Sequence, residues 1–166
     1  PKVLMKVAQQ KEFGYFDLWG NWFLKLNPAR DPFKKPEMRR ALAHATDRTA
    51  LVDLVRCNPC SSIVPPGFPG YRAAEAPRFS RASAVGELLK ANVDITVIPA
   101  IELLVPDSQR AVAEKLKEEW EKTLGVTVRI LGMKPPAYAQ ALAAGKYDAA
   151  LGAWVGEYFD PLAFLE

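Results

Sequence analysis

From Ile101 onward, apolar runs alternate with amphipathic stretches across short connections, and that alternation narrows the folds open to this chain. Ile101 to Val105 reads as a strand, and Pro106, Asp107 and Ser108 turn the chain and cap a helix running to about Leu124. Val112, Leu116, Trp120 and Leu124 mark the buried stripe of that helix, and Gly125 stops it. Val126 to Leu131 is the next strand, Ala137 to Ala144 a short helix ended by Gly145, and Tyr147 to Trp154 a last strand. Such a β-α-β-α-β order implies a parallel sheet between helical layers, an α/β fold of three layers. Ala149, Ala150, Gly152 and Ala153 suit a strand packed on both faces. Val155 to Pro161 then forms the loop at its carboxyl end, where open α/β sheets collect ligands, and Trp154, Glu157 and Tyr158 fall there.

Upstream, Pro1 to Gln10 alternates as a strand and Trp19 to Asn27 forms a second extended segment. Phe13, Tyr15 and Phe16 between them read as core. Pro36 suits a first helical turn, and Met38, Leu42, Ala45, Val52 and Val55 recur at helical spacing, which predicts one amphipathic helix over about Glu37 to Val55. Proline and glycine exclude regular structure from most of Asn58 to Pro77, although Ile63, Val64, Phe68 and Tyr71 indicate that this stretch packs on the domain. A helix over about Ser80 to Ala91 is expected to turn Val85, Leu88 and Leu89 inward.

With 166 residues the chain is expected to form one domain with a real core. Its net charge of +3 is too small and dispersed to argue for nucleic acid. No apolar run reaches the roughly 18 residues of a membrane span. Nothing at the amino end resembles a signal peptide, and because the chain begins at Pro1 a processed or excised piece is expected.

Searches for catalytic constellations are negative. Gly125 and Gly132 lack phosphate-loop spacing, no Gly-x-Ser-x-Gly elbow occurs, and the only histidine, His44, reads as a surface or satisfied partner. Glu157 and Asp160 share a loop, but two acids at that spacing are commonplace. No metal set is expected, because Cys57 and Cys60 have no further Cys or suitably placed His partners. For that pair a local disulfide is expected over two free thiols. On residues alone, Trp154 beside Glu157 is equally an apolar wall with a charged anchor or a core tryptophan beside a solvated acid.

Three passages carry a family resemblance: Asn27 to Arg48 (NPARDPFKKPEMRRALAHATDR), Val64 to Gly70 (VPPGFPG), and Tyr147 to Leu165 with its YD, Trp154, Glu157 and Phe159-Asp160-Pro161. Ile101 to Val128 fits the same pattern. In that order they resemble the family-5 extracellular solute-binding proteins, the oligopeptide- and dipeptide-binding receptors of ABC importers. The resemblance implies a periplasmic-binding-protein-like (type II) lobe with a mixed, largely parallel sheet, residues 1–166 forming the second of two lobes and the first being absent from this chain. It implies a periplasmic or extracellular receptor, held at the membrane through its transporter, that is not an enzyme and uses no cofactor. Its partners would be a peptide or similar small solute, the missing lobe and a membrane permease, with no nucleic acid.

The implied ligand-binding residues are Trp154, Val155, Glu157, Tyr158 and Asn27. Trp154 matches the aromatic that walls a side-chain pocket, and Glu157 stands where oligopeptide-binding members have an aspartate that pairs with the peptide's terminal ammonium. The extra methylene moves the carboxylate outward by about 1.5 Å. Pro135 and Pro136 replace an aromatic common in the family, and Asn92 to Pro99 departs from its Gly-rich turn. The alternative to a solute receptor is a structural or interaction module that docks another chain through its aromatic face.

Overall fold

A computed structural model describes residues 18–60, 62–72 and 77–165 of the chain. The expected first strand at Pro1 to Gln10 and the aromatics Phe13, Tyr15 and Phe16 lie outside the described residues. Among the described residues, four strands form one sheet: β1 (Gly20–Leu26), β2 (Ile101–Pro106), β3 (Val128–Met133) and β4 (Ala149–Val155). Their spatial order is β1-β4-β2-β3, with β2 parallel to both β3 and β4, and β1 antiparallel to β4. This is the mixed, largely parallel α/β sheet that the alternation and the family resemblance imply.

Alternation along the strands divides the core between two faces. Ile101, Leu103 and Val105 of β2, with Ala149 and Leu151 of β4, pack in one cluster with the helices α1 (Pro36–Ala45), α3 (Arg81–Ala91) and α4 (Arg110–Leu124). Leu104 and Ala150 point to the opposite face, where Ala141 and Tyr138 of α5 (Pro135–Ala143) cover them together with Tyr147. The β2-to-β3 and β3-to-β4 crossovers step in opposite directions across the sheet, so their helices fall on opposite faces. The stripe of Val112, Leu116, Trp120 and Leu124 is buried as the spacing requires. Gly125 ends α4 with φ 71°, a left-handed conformation that favours glycine.

The helix expected over Glu37 to Val55 is broken. α1 stops at Ala45, Thr46 is extended, and a 3-10 turn (Thr49–Leu51) leads into the short α2 (Val52–Val55). Two side chains compete with the helical ladder here. The Thr46 hydroxyl donates back to the Leu42 carbonyl at 2.8 Å, and the Asp47 carboxylate accepts from the backbone N–H of Thr49 at 3.0 Å. The inward face of α3 also differs from expectation. Ala84, Leu88 and Ala91 are buried, whereas Val85 and Leu89 are exposed, because the stripe at helical spacing runs through the small residues.

Cys57 and Cys60 are free thiols in this structure, not the disulfide expected from their spacing. Cys57 donates to the Val55 carbonyl at 3.3 Å, and Cys60 to the Ser62 carbonyl at 3.1 Å. Burial raises the pKa of the Cys57 thiol. His44 is tied down structurally, its Nδ1 lying 2.8 Å from the Arg78 carbonyl oxygen.

Candidate functional site

β4 is covered where it enters the sheet and open where it leaves. Ala149, Ala150 and Leu151 are buried, whereas Ala153, Trp154 and Val155 are exposed. The small residues at its start admit close neighbours: a Cβ placed on Gly152 would lie 2.8 Å from the Phe23 ring. At the carboxyl end, Trp154 pairs with Asn21 and Val155 with Gly20, and the N–H of Gly156 donates to the Trp19 carbonyl at 2.8 Å. The backbone is thus fixed until the chain turns at Gly156.

Beyond that turn, a 3-10 helix (Pro161–Phe164) folds the chain back, capped by the Asp160 carboxylate, which accepts from the N–H of Leu162 at 2.8 Å. The fold-back brings the Ala163 carbonyl within 2.7 Å of the Trp154 indole nitrogen, which donates to it. The ring is therefore held at one edge and remains 48% exposed, an apolar surface with its polar atom already satisfied. Val155 and Tyr158 are about equally exposed, and Glu157 is exposed as well.

Sequence reasoning did not assemble the aromatic support behind this edge. Trp19 packs on Phe68 (ring centroids 4.7 Å apart) and on Phe159 (4.9 Å), Phe68 lies 4.8 Å from Phe159, and Phe164 joins Phe68 at 6.0 Å. The proline-rich loop and the post-β4 loop thus meet through their aromatics. The signal available in sequence was the apolar content of both loops, which named neither partner. A second feature missed is Asn21, whose side-chain amide donates to the carbonyls of Ser62 (3.1 Å) and Ile63, fastening the proline-rich loop to β1 beside Trp154.

The structure places Trp154, Val155, Glu157 and Tyr158 at or just beyond the carboxyl end of β4, with Trp154 and Val155 on opposite faces of the strand, but leaves Asn27 out. Leu26 pairs with Ala149, so Asn27 follows β1 at the opposite, amino-terminal end of β4. Its side-chain amide donates to the carbonyls of Gly145 and Tyr147, both at 3.2 Å. Nearby, the buried Asp148 carboxylate accepts from the Glu102 N–H at 2.8 Å and pairs with Arg30 at 3.1 Å. That end of the sheet is laced by structural hydrogen bonds. Among the described residues no group of three or more Cys, His, Asp or Glu could hold a metal, and no helix is long and apolar enough to cross a membrane.

A family model described as bacterial extracellular solute-binding proteins, family 5 Middle, matches residues 4–166. The chain belongs to that family. Among its family-5 relatives, the dipeptide-binding protein DppE of Bacillus subtilis is 26% identical over 97% of this chain and 32% of its own length. The di/tripeptide-binding protein 3 of Pseudomonas aeruginosa is 30% identical over 84% of this chain and 28% of its own. This chain therefore spans about a third of the curated relatives it matches. A Borrelia burgdorferi periplasmic oligopeptide-binding protein superposes with TM-score 0.83 at 24% identity, covering 99% of this chain and 34% of that one. The periplasmic binding protein DppA of Helicobacter pylori, solved with a peptide, gives TM-score 0.85 at 18% identity over 99% of this chain and 33% of that one. At these identities the solved structures show the shared fold.

Proposed function

We propose that this chain is one lobe of a peptide-capturing receptor: it grips one side of a peptide or similar small solute, a second lobe closes on the other, and the receptor delivers its load to an ABC permease in the membrane. The observation that carries this reading is the carboxyl end of β4, where a pinned but exposed indole is followed in the next loop by the exposed Glu157. An apolar wall with one anion suits a ligand that carries an ammonium group and an apolar side chain. The relatives' descriptions as dipeptide-, di/tripeptide- and oligopeptide-binding proteins support peptides as that ligand. Membership in an extracellular family supports a periplasmic or extracellular setting and a non-catalytic role. The alternative of a docking module is not favoured, because the family model and the similar curated proteins are those of solute-binding receptors.

Closure explains why half a site suffices. In the open lobe the ion pair with Glu157 is screened by water and contributes about 0–1 kcal/mol. When a second lobe covers it, the pair is desolvated and a ligand lacking the ammonium leaves a carboxylate buried without a partner. The test is a titration of the chain with short peptides, free or N-acetylated, followed by the Trp154 indole N–H resonance. Free peptides should shift that resonance weakly, in the millimolar range, and acetylated ones less. Absence of any shift at Trp154 would remove the site, and micromolar affinity of this chain alone would remove the divided grip.

A further inference from the structure

The pair Cys57 and Cys60 takes no part in the proposed ligand edge, yet a short chain of contacts connects it to that edge. Residues 57–60 lie outside every helix and strand, directly after Arg56 closes α2 in a left-handed conformation (φ 53°). Both cysteines are half-buried and line one cavity of about 340 Å3, which β1 walls with Trp22 and Leu24 and α4 with Trp120. Cys60 is bonded to Ser62 in both directions: its thiol donates to the Ser62 carbonyl at 3.1 Å, and the Ser62 N–H donates to the sulfur at 3.4 Å. The same Ser62 carbonyl accepts from the Asn21 amide at 3.1 Å, and Asn21 is the direct strand partner of Trp154.

We propose that Cys57 and Cys60 are a redox-sensitive clasp, in which oxidation to an intramolecular disulfide resets the loop that Asn21 fastens beside Trp154. The structure holds the reduced form. A Cys-x-x-Cys spacing is short enough for one bridge, and an extracytoplasmic setting, which rests on the function proposed above, favours the oxidised state. The co-reactant is a disulfide oxidant. One cysteine thiolate attacks it, forming a mixed disulfide and expelling the first oxidant thiolate. The second cysteine thiolate then attacks the mixed disulfide at the protein sulfur, closing the Cys57–Cys60 bond and expelling the second. Two electrons pass to the oxidant, and the two cysteine protons finish on its two thiols. Once bridged, Cys60 no longer carries a hydrogen for the Ser62 carbonyl, so that carbonyl retains Asn21 alone and the contacts of Ser62 to Val64 change.

The experiment treats the chain with oxidised glutathione, alkylates it with a maleimide under denaturing conditions and reads the intact mass, with hydrogen exchange measured in parallel on the oxidised and reduced proteins. The expected result is loss of maleimide uptake at both cysteines without retained glutathione, and altered exchange at Ser62 to Val64 and at Asn21. A Cys57→Ser/Cys60→Ser variant treated with the oxidant should show no such change in exchange. Persistent maleimide uptake, or glutathione retained on either cysteine, would overturn the clasp. A disulfide that forms while exchange at Asn21 and at Ser62 to Val64 stays unchanged would overturn its link to the ligand edge. Neither readout involves a ligand, so failure here is separable from failure of the peptide-binding reading.

Discussion

The indole N–H of Trp154 donates to the backbone carbonyl of Ala163 at 2.7 Å, tying the last strand to the 3-10 turn that follows it. The ring's one polar atom is used inside the protein, and its apolar surface stays exposed. Trp154→Phe keeps an aromatic wall and removes the tie. The protein should lose about 1 kcal/mol of stability in urea unfolding, the usual net worth of such a hydrogen bond. Amide exchange at Ala163 and Leu165 should quicken in the same variant.

Glu157→Gln keeps the side chain's size and removes its charge. In the open lobe the loss of peptide affinity should be no more than about 1 kcal/mol, and added salt should erase the difference from wild type. Titrations at low and high ionic strength check both statements. An equal loss at high salt would assign Glu157 a packing role.

Among the described residues, Trp120 and Thr46 form a hydrogen-bonded side-chain pair inside the main core, with the indole nitrogen 2.9 Å from a hydroxyl that itself donates to Leu42. Thr46→Val preserves shape and orphans a buried N–H. It should destabilise the protein by about 1–3 kcal/mol in urea unfolding, whereas Thr46→Ser should cost less.

Burial raises the pKa of Glu119 above its ordinary 4.5, against the opposing effects of the Asp47 N–H and Lys115. The native state therefore holds this proton more tightly than the unfolded chain. The stability it contributes is present below about the ordinary value and is lost as pH rises through the raised native one. Relative to Glu119→Gln, the wild-type protein should lose stability across that interval on going from acid towards neutral pH. Parallel urea unfolding of the two proteins across that range checks the sign.

Gly67 has φ 105°, and a Cβ there would lie 3.0 Å from the Trp19 ring. Gly67→Ala combines backbone strain with a clash against the aromatic cluster. A destabilisation of at least about 1–2 kcal/mol is expected, with a changed near-ultraviolet circular dichroism signal from Trp19.

What the sequence determined by itself is the part of the protein governed by local periodicity. The stripe of α4, the Gly125 stop, the β-α-β-α-β order and the placement of Trp154 and Glu157 at a strand's carboxyl end all follow from spacing that repeats every two or 3.6 residues. Tertiary structure decided what depends on partners distant in the chain. The break after Ala45 is stabilised by Trp120 reaching Thr46 across 74 positions, and Leu89 of α3 is exposed because Ala84, Leu88 and Ala91 face the core. Asn27 falls at the far end of β4 because β1 runs antiparallel to it, an orientation that no local pattern encodes. The aromatic support joining Trp19, Phe68 and Phe159 likewise exists only once two irregular loops meet, since loops carry no periodicity from which contacts can be read.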